Sequence, residues 1–275
     1  MIDESNLKDL RKHSNDLAKF MYYLEMYDRQ NQWSQAAEWL EIASGIKEIN
    51  FDLNDFNDSY GWCGHADSYD DRRELLLKKF ITEISVFNFI WGSLESLIDI
   101  INPPEAPKYR GKINSSCYYL KLTDSLPLPL YKELLSKLNE HFSELNSYKD
   151  IIDEFRLKPF LNISGVALNV IYKVRNRLAH GALHFPQPED DEDIEYENRQ
   201  IHLIQLCSRL ILLSVQMLII SHFKNNNITI SIDGYSSLDF NFSGIDRDTT
   251  VADITRGLHI IIEEDDNQLT LNLNL

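Results

Sequence analysis

The chain has 275 residues, 43% of them hydrophobic, which is enough to bury one sizeable core or one core with a small appended domain. Its 27 basic residues stand against 43 acidic ones, and the formal net charge is -16. Because such a surface repels phosphate, the composition excludes a broad basic face for DNA or RNA, and any nucleic-acid contact has to be local.

The first part of the chain is predicted to be helical. Residues 6–48 carry apolar side chains at helical spacing and predict two helices that pair as a hairpin. Residues 50–69 are rich in Asp, Asn, Ser and Gly, which favour a loop. A capping-box pattern at Asp71 then predicts that a long central helix begins there and runs to about residue 102, where two prolines end it.

Helices are also predicted in the middle of the chain. We expect a helix over residues 130–145, a short helical stretch that leads to Pro159, and a helix over residues 160–180. An acidic, solvent-facing loop is expected at 186–197. Shortening this loop would raise activity if it covers a basic cleft, although such charge runs are usually solvated loops. A strongly apolar helix is expected at 201–223.

The apolar helix at 201–223 has two interpretations. Its length and composition also fit a membrane span. However, Gln205, Arg209 and Gln216 fall at spacings that place them on one side of a helix, and an arginine in the middle of a span is costly in lipid. The pattern therefore favours a buried helix of a bundle with one polar stripe, and no membrane contact is expected.

Past residue 224 the periodicity changes from helical to alternating. Four β-prone segments predict two β-hairpins. These segments are residues 228–232, 238–242, 258–262 and 269–275. The sequence therefore predicts a mainly α protein in two parts, a helical domain at 1–224 that includes the N-terminal helical hairpin, and a small β-rich appendage at 225–275.

The segment with the clearest chemical character is the end of the helix predicted over 160–180. Asn176 and His180 stand in an i, i+4 relation, so their side chains are neighbours and the amide can orient the imidazole. At about 100° per residue both lie opposite the apolar side chains of Val174 and Leu178. Arg175 is about 140° from His180 on the helix, and a long flexible side chain is needed to bring its guanidinium to the same place.

These residue types suit cleavage of RNA without a metal. Such a site needs a group that exchanges protons near neutral pH, here His180, and a cation that holds a phosphate, here Arg175. Lys173, Arg177 and Tyr172 lie close by and are the candidate substrate-binding residues. The alternative is structural, because a histidine in the last turn of a helix interacts favourably with the helix dipole and basic residues commonly solvate a surface.

The run Arg-Asn-Arg-Leu-Ala-His-Gly at 175–181 resembles the signature of HEPN domains, in which an arginine and a polar residue precede a histidine. The resemblance implies a helical bundle that dimerises so that two copies of the motif form one metal-independent endoribonuclease site. It also implies that Arg175 and His180 are catalytic and that Asn176 supports them. Members commonly act as toxins or antiviral effectors in prokaryotic defence and toxin-antitoxin systems, so an antitoxin or a defence-system protein is an expected partner.

The chain departs from the small HEPN toxins in one respect. Those toxins often carry a tyrosine shortly after the histidine, which a nucleotidyltransferase antitoxin modifies with AMP, whereas Ala182, Leu183 and His184 occupy these positions here. The chain is also longer than a minimal HEPN domain. The alternative function, which the acidic charge and the lack of a broad basic face favour, is a non-catalytic HEPN-like adaptor or regulatory subunit that binds a protein partner or a nucleotide.

The remaining signals bear on compartment and cofactors. Three cysteines that are far apart in sequence suit a reducing cytosol better than a disulfide scaffold. The N-terminus has no basic segment followed by an apolar run, so we expect a cytoplasmic protein. Cys63 and His65 have no second ligand pair at zinc-site spacing, and we expect neither a metal nor another cofactor.

Overall fold

The structure is a computed structural model that describes residues 4–29, 31–53, 55, 61, 63–188, 199–224, 228–230 and 249–261. Within these residues the protein is mainly α-helical, which confirms the predicted fold class. A short 3₁₀ turn (Glu4–Asn6) precedes the first α-helix. The other elements in chain order are α1 (Leu10–Tyr27), α2 (Trp33–Gly45), α3 (Gly64–Ile101), α4 (Lys112–Leu122), α5 (Tyr131–Glu144), the 3₁₀ helix (Asn146–Phe155), α6 (Ile163–Ala179), α7 (Arg199–Phe223), the two-residue strands β1 (Thr229–Ile230) and β2 (Thr249–Thr250), and α8 (Val251–Gly257).

The predicted N-terminal helical hairpin is confirmed by α1 and α2, which pack against each other. The side chain of Asp9 caps α1 by accepting hydrogen bonds from the backbone N–H groups of Arg11 and Lys12 at 2.8 and 3.4 Å. In α2, Trp39 covers Gly92 of α3 so closely that a Cβ at position 92 would lie 2.6 Å from the indole ring. This glycine therefore allows the two helices to approach.

The predicted start of the long helix is wrong. The helix α3 begins at Gly64, so the end of the predicted loop at 50–69 is helical, and Asp71 and Glu74 lie inside the helix. Instead of forming a capping box, Glu74 accepts a hydrogen bond from the backbone N–H of Leu53 at 3.0 Å. The predicted end is correct, because Asn102 adopts the left-handed conformation that terminates helices, with φ of 47°.

Two helices in the described part of the chain, α3 and α7, are long and apolar enough to span a membrane by length and composition alone. In the most apolar window of α7, 78% is buried inside the protein, and in that of α3 the share is 44%. The two helices pack against each other and contribute to one hydrophobic core. Burial of this extent is the behaviour expected of core helices in a bundle.

The helix α4 is not predicted by the sequence pattern. It crosses α6 at a close contact, where a Cβ placed on Gly165 would lie 3.2 Å from Cβ and 3.3 Å from Cα of Cys117. The Cys117 thiol is fully buried there and donates to the carbonyl of Gly165 at 3.2 Å. Packing on α6, and not the helical propensity of its own residues, therefore stabilises α4.

The described residues do not support the predicted C-terminal hairpins. Thr229 and Ile230 pair antiparallel with Thr250 and Thr249, while residues 231–248 and 262–275 lie outside the described residues. The expected strand at 258–262 follows α8 and forms a single bridge, from Ile260 to Leu7. A capped helix precedes it because the Thr250 hydroxyl accepts a hydrogen bond from the N–H of Asp253 at 3.2 Å.

The tail is joined to the helices by the polar side chains of α7. Arg209 donates to Nδ1 of His13 at 2.9 Å, and Gln216 contacts Nε2 of the same ring at 2.8 Å. The Gln216 amide also donates to the backbone carbonyl of Thr255 in α8. Two residues of the polar stripe predicted on this helix, Arg209 and Gln216, thus face α1 and α8. The predicted domain boundary near 225 stays a prediction, although Val251, like α7, contributes to the common core.

Candidate active site

The helix α6 ends close to the position that the sequence predicts, with His180 directly after its last residue, Ala179. The side chain of Asn162 caps its start by accepting from the N–H of Gly165 at 3.1 Å. Its apolar face is buried up to Val174. At the other end, the N–H of His180 donates to the carbonyl of Asn176 at 3.0 Å, and Gly181 has a left-handed conformation, with φ of 66°, of the kind that ends helices. The His180 side chain is exposed.

A cavity of about 360 Å³ lies beside this helix end. One wall is the face of α6 formed by positions i, i+3, i+4 and i+7, which are Lys173, Asn176, Arg177 and His180. The opposite wall is the 3₁₀ helix, and Ala182 completes the lining. The structure therefore brings together one histidine, one amide and two cations in a cavity large enough for part of a nucleotide.

The 3₁₀ helix contributes two carboxylates to the cavity, from Asp150 and Glu154, together with the apolar side chain of Ile151. Sequence analysis missed these acidic residues, because they precede α6 in a separate segment and only the packing of that segment on α6 places them there. A weak signal existed in their i, i+4 spacing, which puts two acids on one side of a helical stretch.

Arg177 is held by the 3₁₀ helix. Its guanidinium donates to the backbone carbonyl of Ser147 and to the carboxylate of Asp150. Its Cζ also lies 5.6 Å from the centre of the Tyr148 ring, which is the geometry of a cation–π contact. Tyr148 is buried and stacks on Phe142 with ring centres 5.4 Å apart. Arg177 thus joins α6 to a segment that is anchored in the core.

Lys173 has a looser environment. Its Nζ lies 3.8 Å from Oε1 of Glu154, and its side chain is 48% exposed. Glu154 is itself paired on its other oxygen with Lys158, whose Nζ also donates to Oδ1 of Asn169 at 3.0 Å. Lys158 therefore holds one oxygen of the Glu154 carboxylate, and the other oxygen faces Lys173 at a distance slightly beyond hydrogen-bonding range.

The structure does not bring Arg175 and Tyr172 into this cavity. Tyr172 stacks on Trp91 of α3, with ring centres 6.3 Å apart and the planes 16° from parallel. Trp91 in turn donates its indole N–H to Glu95 at 2.8 Å. Arg175 is half-buried and is not part of the cavity lining. Of the six predicted site residues, four line one cavity of a single chain and two lie elsewhere on α6.

Asn176 and His180 lie on the same cavity wall, as predicted. The hydrogen bond between these two residues runs from the backbone N–H of His180 to the backbone carbonyl of Asn176. Among the residues that the structure describes, there is no group of three or more His, Cys, Asp or Glu side chains arranged to hold a metal ion. The polar groups that line the described cavity are an imidazole, an amide, two cations and two carboxylates.

In comparisons with known proteins, no family model matches the chain, no curated protein matches its sequence, and no solved structure matches its fold.

Proposed function

We propose that the protein is a metal-independent endoribonuclease of the HEPN type that acts as a homodimer. The observation that carries this proposal is the cavity at the end of α6, where the exposed His180 lies with Lys173, Asn176 and Arg177. A proton-exchanging group and cations in one cavity are what cleavage of RNA without a metal requires.

In the proposed reaction, His180 removes the proton of a ribose 2′-hydroxyl. The 2′-oxygen attacks the adjacent phosphorus, the bond from phosphorus to the 5′-oxygen breaks, and that oxygen takes up a proton from an acid. A cation stabilises the negative charge that develops on the phosphate oxygens. The products are a 2′,3′-cyclic phosphate and a 5′-hydroxyl.

A dimer fits this chemistry because the base and the acid are separate groups during attack. A second copy would supply the second histidine. Arg175 lies outside the cavity that His180 lines in the same chain, which favours a site that is completed only when two helices α6 meet. In this proposal Arg175 holds the phosphate, Asn176 supports His180, and Lys173 contacts the RNA backbone.

The proposed biological role is antiviral defence or growth arrest in a toxin-antitoxin system, with an antitoxin or another defence protein as partner. This role rests on the resemblance of residues 175–181 to the HEPN signature and on the four signature-region side chains that share the cavity. Release of the ribonuclease from its partner, or a viral trigger, would then start RNA cleavage.

A second candidate function is a non-catalytic adaptor that keeps the bundle and binds a protein or a nucleotide. The observation in its favour is the pairing of both cavity cations with carboxylates, Arg177 with Asp150 and Lys173 with Glu154. The net charge of -16 also disfavours strong RNA binding. An adaptor would leave cellular RNA intact while still binding its partner.

The test is expression of the full chain in cells, followed by measurement of RNA integrity. The wild type is expected to degrade RNA, and both His180→Ala and Arg175→Ala are expected to leave it intact. His184→Ala is the matched control, because His184 is also exposed and lies four residues past His180 but outside the cavity lining. The nuclease proposal is wrong if His180→Ala cleaves as well as the wild type, or if the purified wild type cleaves no RNA.

A further inference from the structure

The two cations of the cavity are held in different ways. Arg177 makes three contacts to the 3₁₀ helix, through a backbone carbonyl, a carboxylate and an aromatic ring. Its side chain is 26% exposed. Lys173 faces one carboxylate at 3.8 Å and is 48% exposed. Removing Arg177 from its contacts would therefore disturb the cavity wall, whereas Lys173 can turn towards a ligand without disturbing it.

Glu154 is placed to neutralise Lys173 and to remain in position when Lys173 moves away. Its side chain is only 21% exposed, and Lys158, which does not line the cavity, pairs with the carboxylate oxygen that Lys173 does not face. Lys158 is fixed in turn by Asn169, which is buried in α6. Glu154 thus keeps a cationic partner whether or not Lys173 is paired with it, so the cost of separating Lys173 from Glu154 is small.

We infer, on the basis of the proposed function, that Glu154 regulates the cavity by neutralising Lys173 until a phosphate of bound RNA replaces the carboxylate. Arg177 would meanwhile act as a positioning residue that holds the 3₁₀ helix against α6. A half-exposed ion pair is weak, and its loss changes an affinity by at most about fivefold. A negatively charged phosphate of the RNA can contact the same ammonium group. It is favoured over the carboxylate when neighbouring phosphates of the RNA are also bound.

The consequence concerns selectivity. A ligand without phosphates, such as a nucleoside, would meet a cavity whose charges are already satisfied. A ligand with several phosphates in a row gains from Lys173, which it takes from Glu154. The inferred regulation therefore makes the cavity select polyanions over weaker anions, which the net charge of -16 also repels.

The experiment measures binding of a short fluorescent single-stranded RNA to the full chain at several salt concentrations, with His180→Ala in every sample to prevent cleavage. Glu154→Gln is expected to tighten binding about two- to fivefold at low salt. Lys173→Ala is expected to weaken binding and to reduce the slope of log affinity against log salt by about one. In the Lys173→Ala background, Glu154→Gln is expected to change nothing, because Lys173 is gone and Lys158, which also loses its partner, does not line the cavity.

Asp153→Asn is the matched control. Asp153 lies on the same 3₁₀ helix, and its substitution by Asn changes the charge by the same amount. However, Asp153 is 78% exposed, pairs with Arg156 and does not line the cavity. If Asp153→Asn tightens binding as much as Glu154→Gln does, or if Glu154→Gln still acts without Lys173, the inference is overturned. Should Glu154→Gln fail to fold, Glu154→Asp keeps the charge for Lys158, withdraws the carboxylate from Lys173, and is expected to tighten binding as well.

The outcomes separate this inference from the proposed function. RNA that binds without coupling between Glu154 and Lys173 overturns the inference alone. Coupling together with a wild type that cleaves no RNA overturns the catalytic proposal and leaves the regulation of the cavity standing. A wild type that binds no RNA at all overturns both.

Discussion

Nε2 of His13 and Oε1 of Gln216 lie 2.8 Å apart in the interior of the protein, and neither side chain is exposed. The direction of this bond is fixed, because Arg209 donates to Nδ1 of the same ring and leaves the proton on Nε2. The Gln216 amide then points its donor towards Thr255 and towards Nδ1 of His259 at 3.4 Å. One chain of hydrogen bonds, which requires neutral histidines, thus joins α1, α7 and the tail.

The first prediction concerns the pH dependence of stability. Burial and the neighbouring Arg209 hold the pKa of His13 well below its ordinary value, and burial lowers the pKa of His259 to about 4. An unfolded histidine titrates near 6.5, so below that pH the unfolded chain binds more protons than the folded one. The free energy of unfolding should therefore decrease as the pH falls from about 6.5 towards about 4, by about 1 kcal/mol per pH unit for each histidine.

Urea denaturation at pH 7.5, 6.5 and 5.5 would measure this dependence. His259→Asn should flatten the pH profile, although it also removes the hydrogen bond to the carbonyl of Pro129 and lowers stability at every pH. The exposed His184, changed to Asn, should leave the profile unchanged. A wild-type free energy of unfolding that is equal at pH 7.5 and pH 5.5 would show that the buried histidines do not respond in this way.

The second prediction separates two arginines that are neighbours in the motif. Arg177→Ala removes the contacts to Ser147, Asp150 and Tyr148, so the 3₁₀ helix should be cut faster by proteases, and stability should fall by about 1–2 kcal/mol. Arg175→Ala should abolish RNA cleavage and leave the rate of proteolysis within the 3₁₀ helix unchanged. Limited proteolysis followed by mass spectrometry distinguishes the two variants. Equal cleavage patterns would refute the positioning role of Arg177.

The third prediction tests the contact between α2 and α3. A methyl group on Gly92 would meet the Trp39 ring at 2.6 Å, so Gly92→Ala should lower stability by about 1–3 kcal/mol, measured as a lower Tm. Gly45→Ala is the control, because nothing lies within 4 Å of a Cβ at that position. Trp39→Leu in the Gly92→Ala background should recover part of the loss. A Tm for Gly92→Ala that matches the wild type would mean that the indole moves aside without cost.

The fourth prediction concerns metals. If His180 transfers the proton, RNA cleavage should continue in EDTA at a rate within about twofold of the untreated rate. The measurement is the rate of cleavage of a labelled RNA with and without chelator, with a magnesium-dependent nuclease as a positive control for chelation. Loss of activity in EDTA, and its recovery on addition of Mg²⁺, would contradict the proposed mechanism.

Apolar periodicity was sufficient to predict most of the bundle. The hairpin of α1 and α2, the long α3, and the helices α5, α6 and α7 follow from apolar spacing, since each buries a continuous face. The helix α4 could not be predicted in this way, because it is short and its Ser115, Ser116 and Tyr118 have modest helical propensity. The start of α3 was misplaced because polar residues that favour turns also occur in the first turns of an exposed helix.

The candidate site was predictable only where it lies on one helix. Helical geometry alone places Asn176 and His180 on one wall, and the same geometry predicts that Arg175 points elsewhere unless its side chain bends. The opposite wall could not be predicted, because the positions of Asp150 and Glu154 depend on how the 3₁₀ helix packs against α6. The helix α8 was not predicted for a similar reason, since it depends on packing against α7.

The contact between Gly165 and Cys117 lies near one end of α6, and His180 lies at the other, about 22 Å away along the helix axis. A methyl group at position 165 would make a tight contact with Cys117, at 3.2–3.3 Å. If α6 tilts by about 3° to relieve it, the imidazole moves by about 1 Å. Misplacement by that amount can cost about a hundredfold in rate. If the cavity works as proposed, the accuracy of its proton transfer depends on Gly165, which lies far from the cavity, and a substitution there would lower activity while the protein stays folded.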